Sequence, residues 1–133
     1  MVTKMRTYIV EDNLTIRENL IGTLEELAPI STVGTAETEE EGAGWLSSHD
    51  GQWDLAIVDL FLKNGSGLGI LRACQHRSPS QKMVVFSNYA TREMRMQCAA
   101  LGVDAVFDKS TEIDGLLQYC MKQSANIAPY SKH

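Results

Sequence analysis

Trp53-Asp54-Leu55-Ala56-Ile57-Val58-Asp59-Leu60-Phe61-Leu62 stands mid-chain, followed by the polar, glycine-rich Lys63-Asn64-Gly65-Ser66-Gly67. Leu55 to Val58 is a short, uninterrupted apolar run, the pattern of a strand buried on both faces in a parallel sheet covered by helices. The run ends abruptly on the carboxylate of Asp59. A buried strand that delivers an acid to its carboxyl end, just before a loop, puts that acid where open α/β sheets bind ligands. Taken by itself, the stretch fits equally well with Asp59 capping a turn. The flanking segments decide between the two.

Towards the N-terminus, Thr7-Tyr8-Ile9-Val10 is a β-branched and aromatic run, read as a first strand, and it too ends on acids, Glu11-Asp12. Asn13 suits a helix N-cap, and Ile16, Leu20, Ile21, Leu24 and Leu27 follow at helical spacing until Pro29. Ile30 to Ala36 is a weaker second strand, with Val33 central and Gly34 interrupting it. Thr38-Glu39-Glu40-Glu41 resembles a capping box opening a second helix, whose inner face would be Ala43, Trp45 and Leu46. Gly42 and Gly44 make it the weakest helix of the set.

Towards the C-terminus, Ser66 opens a third helix with Leu68, Leu71 and Cys74 at three-residue spacing, and Pro79 lies beyond its end. Met83-Val84-Val85-Phe86 is a second fully apolar run, ending at Ser87-Asn88-Tyr89. Thr91 to Leu101 reads as a helix closed by Gly102 in the position of a left-handed C-cap. Val103 to Phe107 is a fifth strand ending in Asp108-Lys109-Ser110. Ile113, Leu116, Leu117 and Cys120 then mark a last amphipathic helix. Residues 1–123 are therefore expected to form one domain, with 124–133, which contains Pro129, as a frayed tail.

Five βα repeats in succession specify a parallel five-stranded sheet with right-handed crossovers, a doubly wound three-layer α/β sandwich. A length of 133 residues is enough for one core without staples, and 44% hydrophobic with 22% charged residues is ordinary for a soluble globular chain. The net charge of −5 argues against direct nucleic-acid binding, since no basic stripe is available to neutralise phosphates. The apolar runs are too short to span a bilayer, and Met1-Val2-Thr3-Lys4 leads into a strand without an apolar leader, so no membrane association and a cytoplasmic location are expected. Cys74, Cys98 and Cys120 fall on apolar helix faces and read as buried, reduced thiols. His49, His76 and His133 read as isolated surface residues.

In a parallel sheet the carboxyl ends of all strands share one edge, so Glu11, Asp12, Asp59, Ser87 and Lys109 should meet there. Converging carboxylates need neutralising, and a hard divalent cation such as Mg²⁺ does this with carboxylate, carbonyl and water oxygens. Lys109 offers a further positive charge for a phosphoryl oxygen, and Ser87 a hydroxyl donor. A carboxylate nucleophile, a metal, an ammonium and a hydroxyl are the parts needed to accept a phosphoryl group.

Ile9-Val10-Glu11-Asp12-Asn13, Ile57-Val58-Asp59-Leu60, Ser66-Gly67, Phe86-Ser87 and Phe107-Asp108-Lys109, in this order and spacing, resemble a bacterial two-component response-regulator receiver domain in single-domain form, of flavodoxin-like (βα)5 fold. The resemblance runs from about Thr7 to Gln123. It implies that Asp59 accepts a phosphoryl group from a sensor histidine kinase or histidine phosphotransfer domain. It also implies that Glu11, Asp12, Asp59 and the backbone carbonyl of Phe61 hold Mg²⁺, for which Mn²⁺ can substitute. By the same resemblance Lys109 and Ser87 grip the phosphoryl oxygens. Ser87 and Phe107 form the switch, which shifts the face made by the fourth helix, fifth strand and fifth helix towards a downstream protein. Such a domain catalyses only its own phosphoryl transfer and dephosphorylation.

The sequence departs from the family pattern at several positions. Asn88 replaces the usual small residue, and both Phe61 and Tyr89, which with Asn88 border phosphoryl access, are aromatic. Ser110 follows Lys109 where the family has a proline after a cis bond. A cis bond before a non-proline residue costs about 2.5–4 kcal/mol, so a trans bond with a rerouted loop is expected. Two other classes compete with this reading. A metal-dependent phosphohydrolase with an aspartate nucleophile would want a second acid where Phe61 stands, and a cap for which the chain has no room. A receiver fold kept only as an unphosphorylated interaction module would have no need of the intact acids and lysine.

Overall fold

The strands β1 (Met5–Val10), β2 (Ile30–Ala36), β3 (Leu55–Val58), β4 (Lys82–Ser87) and β5 (Ala105–Asp108) alternate with the helices α1 (Leu14–Leu27), α2 (Glu39–Ser48), α3 (Gly67–Ala73), α4 (Arg92–Ala100) and α5 (Ile113–Ala125). This is a computed structural model, and it describes residues 3–126. All neighbouring strands run parallel, in the order β2-β1-β3-β4-β5. The expected doubly wound three-layer sandwich is the one observed.

Strand periodicity divides the interior into two cores. Tyr8, Val10, Ala56, Val58, Met83 and Val85 point to one face, where Leu46 of α2, Ile70 and Leu71 of α3 and Cys98 of α4 cover them. Ile9, Leu55, Ile57, Val84 and Phe86 point to the other, under Leu20 and Leu24 of α1 and Leu116 and Cys120 of α5. Because β3 is sealed on both sides, all four of its residues are buried, which is why it reads as a continuous apolar run. The three cysteines are buried and unpaired, as expected. Among the described residues, no helix is long and apolar enough to cross a membrane.

Several boundaries and faces differ from the sequence reading. β1 starts two residues earlier, at Met5, whose N–H reaches the carbonyl of Pro29 at 2.8 Å. β5 begins at Ala105 rather than Val103 and includes Asp108. Asp104 caps the neighbouring strand instead, its carboxylate accepting the Met83 N–H at 2.8 Å while pairing with Arg77. Ile16 and Leu27 lie on the periodic stripe of α1, but both are exposed. α5 runs on to Ala125, so positions 124 and 125 belong to the helix rather than to the expected tail. The remainder of that tail, 127–133, lies outside the described residues, and His133 with it.

Around α2, glycine permits close approach. A Cβ at Gly42 would sit 2.7 Å from Ile70 Cδ1, so this glycine lets the helix pack tightly and is not a weak point. Trp45 is only half-buried. Its ring stacks on Tyr8 at 4.4 Å and on His49 at 4.0 Å. His49 is thus neither isolated nor fully exposed, whereas His76 is at the surface as expected. Gly34 leaves room for the Tyr8 ring, since a Cβ there would lie 2.8 Å from it. The β1–β2 register shifts between Thr7 and Tyr8, so Val33 has no partner in β1 and is exposed.

Gly22 is the contrasting case, because it sits mid-helix and a Cβ there would meet nothing within 4 Å. Gly22→Ala should raise unfolding stability by about 0.5–1 kcal/mol through reduced backbone entropy of the unfolded chain. Urea denaturation checks this, with an increased midpoint and an unchanged slope expected.

Candidate functional site

Parallel pairing sets the site. Glu11 N–H bonds the carbonyl of Ala36 at 3.0 Å, Asp59 N–H that of Val10 at 3.0 Å, and Lys109 N–H that of Ser87 at 3.0 Å. Each functional residue thus leaves its strand while still tied to the next one. Glu11, Asp12 and Asp59 offer carboxylate oxygens that all lie within 4.8 Å of one another. Lys109 Nζ donates to Asp59 Oδ2 at 2.8 Å and also to Glu11 Oε1. Asp59 Oδ1 accepts the Leu60 N–H at 2.7 Å, and Glu11 Oε2 accepts that of Asn13 at 3.0 Å. Gly67 completes the packing, since a Cβ there would overlap the carbonyl oxygen of Asp59.

Exposure is 3% at Glu11, 8% at Asp59 and 0% at Ser87. Burial pushes the Glu11 carboxyl above its ordinary value, and the nearby Asp59 charge adds to this. The hydrogen bonds from Lys109 and the Asn13 N–H oppose the rise without cancelling it. Burial alone would lower Lys109, but its hydrogen bonds to Asp59 and Glu11 and their charges win, so the ammonium is held charged more firmly than usual. Three acids against one ammonium leave the site short of positive charge. The donors are all hard oxygens clustered closely enough to share one ion, which suits Mg²⁺ or Mn²⁺ and not a soft metal.

The remaining candidates are arranged around this centre. Ser87 Oγ accepts the Tyr89 N–H at 3.1 Å, which leaves its own proton free to point elsewhere. The Phe61 and Tyr89 rings, 54% and 53% exposed, touch each other with centroids 4.2 Å apart. Asn88, between Ser87 and Tyr89 in the chain, is exposed. Phe107 is half-buried, edge-on to Tyr119 at 5.8 Å, and a Cβ at Gly115 would meet its ring at 3.4 Å. The Lys109–Ser110 bond is trans, and Ser110 N–H and Oγ both turn back to Asp108 Oδ1, at 2.8 and 2.5 Å.

Two arginines that sequence reasoning passes over brace the site. Arg17 donates to the carbonyl of Glu11 at 2.8 Å and pairs with Glu37 at 3.0 Å, supporting the acid pair from behind. A cation near the N-terminal end of a helix opposes the helix dipole, and that misplacement is the available sign of a fixed partner. Arg95 donates to the carbonyls of Ala90 at 3.0 Å and Val106 at 3.1 Å and to Glu112 at 2.7 Å, knotting α4, β5 and the start of α5 together. Only the folded chain reveals this role, since its partners are scattered along the sequence.

The family model described as "Response regulator receiver domain" matches residues 7–120. The transcriptional regulatory protein PhoP of Escherichia coli is 26% identical over 127 residues, covering 93% of this chain and 55% of PhoP. The chain thus spans about half the length of the curated relatives it matches. Among solved structures, the signal receiver domain of NarL from Mycobacterium tuberculosis superposes with a TM-score of 0.80 at 15% identity, covering 94% of this chain and 99% of that one. A response regulator from Burkholderia pseudomallei, solved with a phosphorylated aspartic acid and a calcium ion, gives 0.73 at 20% identity, covering 92% and 70%.

The crowding of acids has a measurable cost. Asp59→Asn removes one of three mutually repelling charges while keeping an oxygen for Lys109. Without divalent ions it should raise unfolding stability by on the order of 1 kcal/mol. Added Mg²⁺ should narrow the gap, because the ion stabilises the wild type more. Thermal unfolding of both proteins with and without Mg²⁺ checks this.

Proposed function

The chain belongs to the response regulator receiver domain family, and from that premise we propose that it is a phosphoacceptor switch of two-component or phosphorelay signalling. Asp59 takes a phosphoryl group from the phosphohistidine of a sensor kinase or histidine phosphotransfer domain. The observation that carries this reading is the shared ammonium: Lys109 Nζ bonds both Asp59 and Glu11, with Asp12 beside them. A lone pair of the Asp59 carboxylate attacks phosphorus, the P–N bond breaks, and the imidazole leaves with the bonding pair. Glu11, Asp12, Asp59 and the Phe61 carbonyl would hold Mg²⁺, which supplies neutralising charge and orients phosphoryl oxygens. Lys109, which bonds Asp59, would pass from carboxylate to phosphoryl oxygen, and the hydroxyl of Ser87 would donate to the same group.

The consequence of phosphorylation is a shift of the α4–β5–α5 face as Ser87 moves and Phe107 turns. Arg95 supports this route, since it ties Ala90, just beyond the Ser87 turn, to Val106, next to Phe107, and to Glu112. Output passes to a protein partner, since the net charge of −5 disfavours direct contact with nucleic acid. We place the domain in the cytoplasm and assign it no catalysis beyond its own phosphoryl transfer and loss.

Wild-type protein with Mg²⁺ and a small phosphodonor should gain one phosphoryl group by intact mass, and Asp59→Asn should gain none. Uptake by the variant at the wild-type rate sinks the assignment.

The aromatic pair bears on how long the signal lasts. Hydrolysis needs water in line with the Asp59–phosphorus bond, and the Phe61 and Tyr89 rings, which touch each other, stand at the positions that border this approach in the receiver family. They exclude water and leave only the Tyr89 hydroxyl to orient it. Replacing Phe61 by Asn together with Tyr89 by Glu should speed decay of the phosphorylated form by about tenfold or more. Equal decay of the two proteins removes these side chains from the account.

A further inference from the structure

The start of α2 grips the loop that follows Asp59. Thr38 and Asn64 form a parallel bridge, the Glu39 N–H bonds the carbonyl of Asn64 at 3.0 Å, and Lys63 pairs with Glu37 at 3.3 Å. At the centre of this contact, Glu39 Oε1 accepts the Ser66 N–H at 2.9 Å. Two glycines make room for that carboxylate. A Cβ at Gly65 would lie 2.7 Å from Glu39 Oε1, and one at Gly69 would overlap the carboxylate group itself. Gly65 also adopts φ of 87°, which a side chain would strain.

Ser66 passes the constraint on. It forms an antiparallel bridge with Phe61, its Oγ donates to the carbonyl of Leu60 at 3.3 Å, and the adjoining Gly67 N–H reaches the same carbonyl at 2.9 Å. The hairpin-like turn 61–66 is therefore closed from inside by Ser66 and held from outside by Glu39. On the receiver reading, Phe61 contributes a carbonyl ligand.

We propose that Glu39 is a positioning residue for the phosphoacceptor site, its carboxylate seated in a cradle of Gly65 and Gly69 so that Ser66, and through it Phe61, is fixed for metal binding. This rests on the receiver reading of Asp59 and its metal, and it adds a residue on a different element to the site's support. Outer partners that orient ligands set affinity without touching the ion.

The test is a double-mutant cycle on the full chain, read in two ways. In metal-free protein, hydrogen exchange at the Ser66 amide should be faster in Glu39→Ala than in wild type. In Mg²⁺ titrations followed by amide shifts, Glu39→Ala and Gly69→Ala should each weaken binding by about tenfold. The double variant should be no weaker than either, because both changes remove one interaction. Glu40→Ala, which deletes the same charge from the next, exposed position, should leave affinity unchanged. Thermal unfolding of each variant separates loss of affinity from loss of fold. Wild-type affinity in Glu39→Ala, additive losses in the double variant, or an equal loss in Glu40→Ala would each overturn the proposal. Failure of the wild type to bind Mg²⁺ would instead overturn the reading beneath it, while unchanged Ser66 exchange would refute the Glu39 contact regardless of metal.

Discussion

One ammonium shared between two buried carboxylates holds the carboxyl edge of the sheet together. Strand pairing forces Glu11 and Asp59 side by side, and without Lys109 their charges would press β1 and β3 apart where those strands end. The arrangement is compensated only in part, because Asp12 brings a third acid. A site short of positive charge and built on a rigid sheet suits a cation. The deficit that this edge of the sheet carries is the one a bound cation would relieve.

Much of this is legible in the sequence, for identifiable reasons. The β3 run and the acids after β1 and β3 are plain, because a doubly covered strand has no polar face and a carboxylate breaks its apolar run abruptly. Glu11, Asp12, Asp59 and Lys109 come together as their strand-end positions require, and Ser87 lies buried at the end of the neighbouring strand. Less legible is anything decided by a single long-range partner. Asp104 reads as strand until its carboxylate is seen capping Met83, and Ile16 and Leu27 fit a helical stripe wider than the sheet can cover. Gly42 looks like a flaw in a helix until Ile70 is found against it. Arg17, Arg95 and Glu39 act largely through backbone groups, which carry no side-chain signature.

These supports differ in what they constrain. Arg17 holds the acids from the α1 side, Glu39 holds the loop after β3 from α2, and Arg95 holds the β5 edge of the sheet from α4. The first two are close to the carboxylates and favour a fixed geometry. The third spans elements that the switch is expected to move, and its carboxylate partner Glu112 is exposed enough to exchange one contact for another. Rigidity near Asp59 and a remakeable knot farther out are compatible within one small domain.

The pairing of Lys109 with Glu11 closes a loop of 98 residues, and that with Asp59 a loop of 50. Contacts so distant along the chain form late, since the entropy of closing such loops must be met before they add stability. On a ribosome, β1 and β3 emerge well before β5, and until β5 docks the acids lack their ammonium. A nascent or partly unfolded chain therefore presents an aspartate without the group that equips it. On the receiver reading, competence to accept a phosphoryl group would be tied to completion of the fold, so that the chemistry itself would discriminate finished molecules from unfinished ones.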